Sequence, residues 1–480
     1  MKKKSLGKKF GNNLINQLYK IDGVISVTIV GSFSKTYDLD KIGDLDVVVI
    51  CKKITNKILR ISKKKIKKLQ FKYPNINKKL KINDTFGPVK YDTIKNLIVH
   101  LMIYDVEGHI DHVIKSPFTC FDWQRSSWYK GKKLKKIYPI QNIYLRDFFE
   151  ARRGFNEYIS DLKNNNISIR KYKINKENVT IKKINYKINS KNKGEFTFHI
   201  IYNLINNYNK FDKNKNIQVP QNNFNKLFLK ITKNDKELLS KFLKLKKEKR
   251  NLKTSYGAEY QSLAEQFLRY FNLFIKEIKN KYAKIIFLRH GKTSLNDKTF
   301  LGQGRNPNII LNRKIKKKLK ENFDLIFSSS LKRSISTAKL FKSKKLIINK
   351  NLNEINYGKA EGMTLEKYSK KFPEKIHLWK NSIDTRFPKG ENTKDVKKRV
   401  FKFIKKALNK KINDVDKVLV VTHNVFLRCL IGHFLKIDFK NYFRLNIPHM
   451  KNFNFIFKNN NIYPNFKRKD LKKILYKLYD

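Results

Sequence analysis

The sequence predicts a multidomain α/β protein, and three observations carry that expectation. Short aliphatic, β-branched runs alternate with lysine-rich helical stretches near both ends of the chain. The composition changes between about residues 151 and 280. The 480 residues are also more than one hydrophobic core normally organises. Hydrophobic residues make up 40% and aromatics 13%, which excludes wholesale disorder.

Residues 1–150 hold the strand candidates "VISVTIV", "LDVVVI" and "NLIVHLMIYDV", separated by basic helical text. Residues 151–280 form a middle region. It opens on an asparagine- and lysine-rich segment, "NNNISIRKYKINKENVTIKKINYKINSKNKGE", read as weakly specified strands or a long loop. The rest of the region is mainly helical. Leu263, Phe267, Phe271, Phe274, Ile275 and Ile278 recur there at helical spacing and predict a packing face. From Tyr282 strands and helices alternate again, which predicts a parallel sheet covered by helices over residues 281–480.

The formal net charge is +70, which would attract a polyanion. The lysines are nevertheless spread over the whole chain, alongside abundant isoleucine and asparagine. A compositional bias explains this better than a binding stripe, so nucleic acid is a possible partner but not the favoured one. No apolar run approaches the roughly 18–20 residues that span a bilayer. The basic start "MKKKSLGKKF" is not followed by the apolar stretch of a signal peptide. Cys51, Cys120 and Cys429 are far apart and lack metal-ligand spacing, as expected in a reducing compartment. The expectation is a cytoplasmic protein without a membrane partner. Oligomeric state is not legible.

Ligands of open parallel sheets bind beyond the carboxyl ends of the strands. "KIIFL" is such a strand, and it delivers Arg289 and His290 to that edge. "DKVLVVTH" delivers His423, and "FDLIFSSS" leads into a helix carrying Arg333. Three separate strands thus deliver cationic or imidazole groups, two arginines and two histidines, to one edge. A planar guanidinium clamps phosphate oxygens with a rigid fork that lysine lacks.

These blocks resemble the histidine phosphatase superfamily, the phosphoglycerate-mutase-like fold, over roughly residues 282–457. "RHGKTSLN", "SSSLKRSISTA", "LNEINYGKAEGMT", "FPKGENTKDVKKRV" and "VVTHNVFLR" follow the family's order. Asn392 stands in place of a serine, and Asn424 where glycine is common. The resemblance implies a three-layer α/β/α domain. His290 would be a nucleophile forming a phosphohistidine, Glu354 the proton donor and His423 a second catalytic imidazole. Arg289, Asn296 and Arg333 would bind the phosphate of a small phosphorylated metabolite. It implies no cofactor. The short text between Glu354 and the "KGEN" block favours a phosphatase over a mutase, the alternative.

In "VTIVGSFSKTYDLDKIGDLDVVVI", Gly31 and Ser32 follow one strand, while Asp44 and Asp46 open the next. Residues two apart in a strand share a face, so the carboxylates are presented together and suit Mg²⁺. This pattern resembles the polymerase-beta-like nucleotidyltransferase superfamily. The resemblance implies an NTP partner at Gly31 and Ser32, with Mg²⁺ on Asp44 and Asp46. It also implies a third carboxylate on a later strand. The natural strand, "NLIVHLMIYD", has His100 as its mid-strand polar residue in place of a carboxylate, and Asp92 or Asp105 could serve instead. The whole chain is therefore expected to be a bifunctional enzyme. Its rival is a nucleic-acid-binding protein with an inert nucleotidyltransferase-like domain.

Overall fold

The computed structural model describes all residues except 1, 41, 43, 74–75, 77, 86–95, 214–219, 249–257, 297–298, 311–320, 382, 410–411, 413–416, 459 and 479–480. It divides into two units, Met1–Ile275 and Lys276–Asp480. The regions 1–150 and 151–275 therefore lie within one unit. Among the described residues no helix is long and apolar enough to cross a membrane.

The first unit is built on a five-stranded sheet. Its strands are β1 (Val24–Val30), β2 (Asp44–Cys51), β3 (Lys79–Asn83), β4 (Asn96–Asp105) and β5 (Tyr129–Gly131), in the order β3-β4-β2-β1-β5. β2 and β4 run parallel, whereas β1 and β2 pair antiparallel. Leu45, Val47, Val49 and Cys51 join one core with Phe10, Leu14 and Leu18 of the helix Lys2–Tyr19 and Ile58, Leu59 and Ile66 of the helix Asn56–Lys72. Period-two alternation then turns Asp44 and Asp46 to the opposite face.

The asparagine-rich segment is a hairpin of two ten-residue strands, β6 (Asn166–Asn175) and β7 (Asn178–Lys187). Lys176 takes a positive φ of 52° in the two-residue turn, as tight hairpin turns require. Helices Ser190–Lys213, Gln221–Ile231, Lys236–Glu248 and Ala258–Lys281 follow. The aromatic stripe packs as expected: Leu263, Phe267, Phe271, Phe274, Ile275 and Ile278 are all buried.

The second unit holds a six-stranded sheet in the order β10-β9-β11-β8-β12-β13. The strands are β8 (Ala283–Arg289), β9 (Asn322–Ser328), β10 (Lys342–Ile348), β11 (Lys417–Thr422), β12 (Asn452–Lys458) and β13 (Asn461–Pro464). Four are parallel, as the sequence predicts. The expectation of a wholly parallel sheet is corrected at one edge, where β12 pairs antiparallel with both β8 and β13. Parallel pairing needs a long crossover. β12 ends at Lys458 and β13 begins at Asn461, so only a hairpin can join them.

Candidate functional site

In the second unit, three neighbouring parallel strands end together. β8 leads to Arg289 and His290, and β11 to His423. β9 leads through Ser329 to the helix Lys332–Ala338, which carries Arg333. The His290 ring centroid lies 4.9 Å from that of His423 and 5.2 Å from that of His449. His290 is buried, and its Nδ1 is 2.7 Å from the Gly291 carbonyl oxygen. Nδ1 must therefore carry the proton and donate, which leaves the lone pair on Nε2. Burial first, then Arg333 and Arg289, hold the His290 pKa well below the ordinary imidazole value. Burial and the neighbouring His290 do the same for His423.

Arg289 Nη1 donates to the Ile447 carbonyl at 2.5 Å. Arg333 is fully buried; its Nη2 donates to Gly302 O at 2.7 Å and its Nη1 to Arg305 O at 3.2 Å. These bonds fix both guanidinium planes. Among the described residues, the buried Nε of each arginine and Nδ1 of His423 have no hydrogen-bond partner. Such orphaned polar atoms are costly unless something else satisfies them. Asn296 anchors the turn after His290, its Oδ1 accepting from Thr293 N at 2.7 Å and Thr293 Oγ1 at 3.0 Å.

Glu354 is buried beside the start of the helix Asn424–Phe434. Its Oε1 accepts from the backbone N–H groups of Ile355 and Val425, both at 3.0 Å, and its Oε2 from that of Asn424 at 3.1 Å. Asn392 caps its helix in a reciprocal box with Asp395, so the departure from serine keeps the cap.

Several contributors escaped the sequence reading. Arg399 forms a bidentate pair with Glu391, with both bonds 2.8 Å. It also donates to the carbonyls of Asn351, Asn353 and Glu354 at 2.9, 3.0 and 3.3 Å. Ser329 Oγ lies 2.7 Å from His423 Nε2. His449 donates from Nδ1 to the His290 carbonyl at 3.1 Å, and burial lowers its pKa to about 4. The sequence alone offered no signal for His449, which lies just before β12.

The first unit gathers a different set. Asp44, Asp46 and His100 bring one ligand atom each to within 4.8 Å of one another. Asp46 and His100 are register partners on β2 and β4. The Asp46 carboxylate raises the Asp44 pKa to about 7. Gly31 has φ +74°, and a Cβ there would lie 2.4 Å from Asp46 Oδ2, so the turn can hold only glycine against that carboxylate. Ser32 begins the short turn before Phe33–Thr36 and makes no side-chain cap. These three side chains line a cavity of about 370 Å³ together with Arg152, Arg153 and Arg170. Asp105 is corrected as a candidate ligand. It pairs with Cys51 at the other end of the strands and caps the following helix, accepting from Gly108 N at 2.7 Å. Asp92 lies outside the described residues.

Strand-end arginines and imidazoles on a largely parallel sheet define the second unit as a phosphate-handling α/β domain. Residues 285–461 match the model of the histidine phosphatase superfamily (branch 1), and the C-terminal region is of that superfamily. Among its relatives is the 2,3-bisphosphoglycerate-dependent phosphoglycerate mutase of Parvibaculum lavamentivorans, 26% identical over 178 residues, covering 34% of this chain and 85% of the relative. The enzyme of that description from Buchnera aphidicola is 29% identical over 213 residues, covering 35% and 90%. A solved alpha-ribazole phosphatase from Shigella flexneri is 21% identical, covers 38% of this chain and 94% of that one, and has a TM-score of 0.33.

Proposed function

We propose that the C-terminal region hydrolyses phosphomonoesters of small metabolites through a phosphohistidine. The observation that carries this reading is the set of buried, unpartnered donors around His290: Arg289 Nε, Arg333 Nε and His423 Nδ1. A phosphate dianion satisfies all three at once. His290 Nε2, kept unprotonated, attacks phosphorus in line, and the bond to the ester oxygen breaks. Glu354 passes a proton to the departing alkoxide and then takes one from the water that attacks the phosphohistidine. Fixed donors stabilise the charge on the transferring phosphoryl group. Asn296 orders the loop beside that group. His290→Ala should abolish hydrolysis of an aryl phosphate, and an alkaline denaturing quench of the wild type should trap a phosphoryl group that survives base and is lost in acid. A folded variant that retains turnover overturns the assignment. The mutase names of the relatives favour a second reading, in which the phosphoryl group returns to the substrate instead of water; release of inorganic phosphate decides between them.

For the first unit we propose divalent-cation-dependent nucleotidyl transfer. Asp44 and Asp46 would hold the cation, Mg²⁺ being what paired carboxylates alone select. A bound cation would offset the carboxylates and the triphosphate. Gly31 would let the backbone approach the nucleotide, and Ser32 would donate to it. The cavity supports this reading because Arg152, Arg153 and Arg170 line it together with the two carboxylates. Asp44→Asn with Asp46→Asn should remove metal–NTP binding and spare phosphatase turnover. Unchanged NTP binding overturns it.

A further inference from the structure

We infer that His100 is the third ligand of the cation site in the first unit, and that this gives the site a preference for a divalent transition ion such as Mn²⁺ over Mg²⁺. The inference rests on the metal reading of Asp44 and Asp46 and adds the identity of the ion.

The geometry of His100 makes the case. Its Nδ1 lies 3.0 Å from Asp46 Oδ1, and its Nε2 contacts the carbonyl oxygen of Thr85. Both ring nitrogens thus face oxygen acceptors, but a neutral imidazole has one N–H. The Thr85 carbonyl can only accept, so Nε2 is the donor. In the absence of a cation a proton on Nδ1 bridges it to Asp46 Oδ1; a bound cation would take the place of that proton, on a nitrogen and an oxygen already 3.0 Å apart. A ligating histidine that donates its other ring N–H to a backbone carbonyl is the usual outer-shell arrangement of metal sites.

That outer shell is itself built. Thr85 is buried, and its N and Oγ1 donate to Asn83 Oδ1 at 2.9 and 2.8 Å. Asn83 is the register partner of His100 on β3. The carbonyl that fixes the imidazole is therefore held by the sheet. Asp44, Asp46 and His100 occupy adjacent positions on two paired strands, so little rearrangement would close them on one ion.

The donor set then selects the ion. Mg²⁺ takes oxygen ligands and gains little from imidazole, whereas later divalent ions bind imidazole well. Replacing an oxygen by a ring nitrogen lowers the affinity for Mg²⁺ relative to Mn²⁺.

The test uses the full-length chain, with Mn²⁺ and Mg²⁺ titrated separately by calorimetry, and pulsed electron-spin-echo spectroscopy of the bound Mn²⁺. Mn²⁺ should bind at least about tenfold more tightly than Mg²⁺, since even an outer-shell partner is worth about 10–100-fold in affinity. The spectrum should show a directly bonded ¹⁴N. His100→Asp restores an all-oxygen set, so it should abolish the nitrogen signal and reduce the Mn²⁺/Mg²⁺ ratio; His100→Gln, with an unchanged melting temperature, checks folding. Bound Mn²⁺ without a ¹⁴N coupling, or an unchanged ratio in His100→Asp, overturns the inference and leaves the carboxylate site standing. Binding that survives Asp44→Asn with Asp46→Asn, or no divalent binding by the wild type, overturns the metal reading itself.

Discussion

Replacing Arg399 tests how the second unit holds Glu354. The guanidinium grips Glu391 with two bonds and also three carbonyls of the segment after β10, those of Asn351, Asn353 and Glu354 itself. Its side chain is 18% exposed and that of Glu391 20%. Removing one member of a well-buried pair costs about 3–5 kcal/mol, because the other charge is left stranded. The partial exposure lets water reach Glu391, and the carboxylate keeps the Asn356 N–H at 2.9 Å. A loss of about 2–4 kcal/mol is therefore expected for Arg399→Ala, by discounting that range for solvent screening. One kcal/mol moves the midpoint of a domain of this size by about 2–4 °C, so melting should fall by roughly 4–16 °C. Arg399→Lys should rescue little, since an ammonium cannot span a carboxylate and three carbonyls. The Glu354 carbonyl also keeps the Gln303 Nε2 bond at 2.7 Å, so the loop should loosen rather than unfold. Turnover should then fall most on alkyl phosphates, whose leaving groups need a positioned proton, and least on nitrophenyl phosphate. Thermal melts and the ratio of kcat for the two ester classes check both effects. A variant melting within about 1 °C of the wild type, with an unchanged ratio, refutes the positioning role.

The folded-state pKa values of His290 and His423 are depressed below the unfolded value of about 6.5. Their contribution to stability is therefore complete above about pH 6.5 and lost as pH falls below it, which melts of the full chain in a pH series would show in the transition of the second unit. Asp44 has the opposite sign, because its pKa is raised to about 7 by Asp46. Without divalent ions, the first unit should lose stability as pH rises between about 4 and 7; Asp44→Asn should melt higher than the wild type at pH 8 and close to it at pH 4. Phosphate release by the intact chain should persist in EDTA, since Arg289, Arg333 and His423 carry the phosphate charge; nucleotidyl transfer should stop. Loss of phosphatase activity in EDTA would require the phosphohistidine scheme to be withdrawn.

What was legible in the sequence depended on whether the signal was local. Strand ends are local, so the convergence of Arg289, His290, Arg333 and His423 could be read from three separate runs. The shared face of Asp44 and Asp46 needed only the period of a strand. The level of His100 against Asp46 needed the register of two strands far apart in sequence. Arg399 was harder still, because most of its partners are backbone carbonyls, which carry no sequence signature. The hairpin Asn166–Lys187 was legible only as weak strands, because its alternation breaks down after Ile169 and Ile174, Ile184 and Tyr186 stay exposed. The antiparallel edge of the second sheet was hidden for a similar reason: β12 is as apolar as a parallel strand, with Phe453, Phe455, Ile456 and Phe457 all buried.

The net charge of +70 explains less than the placement of a few arginines. Lysine covers the surface, where a solvated ammonium needs no fixed partner. Arg289, Arg333 and Arg399 are instead each held by backbone carbonyls, one at Arg289 and several at Arg333 and Arg399, before any substrate arrives. A lysine in such a place would leave acceptors unmatched and would swing on its stem. Under the proposed nucleotidyl-transfer reading, the first unit would meet the same anionic chemistry with Asp44 and Asp46, whose charge a cation would have to offset, although Arg152, Arg153 and Arg170 line the same cavity.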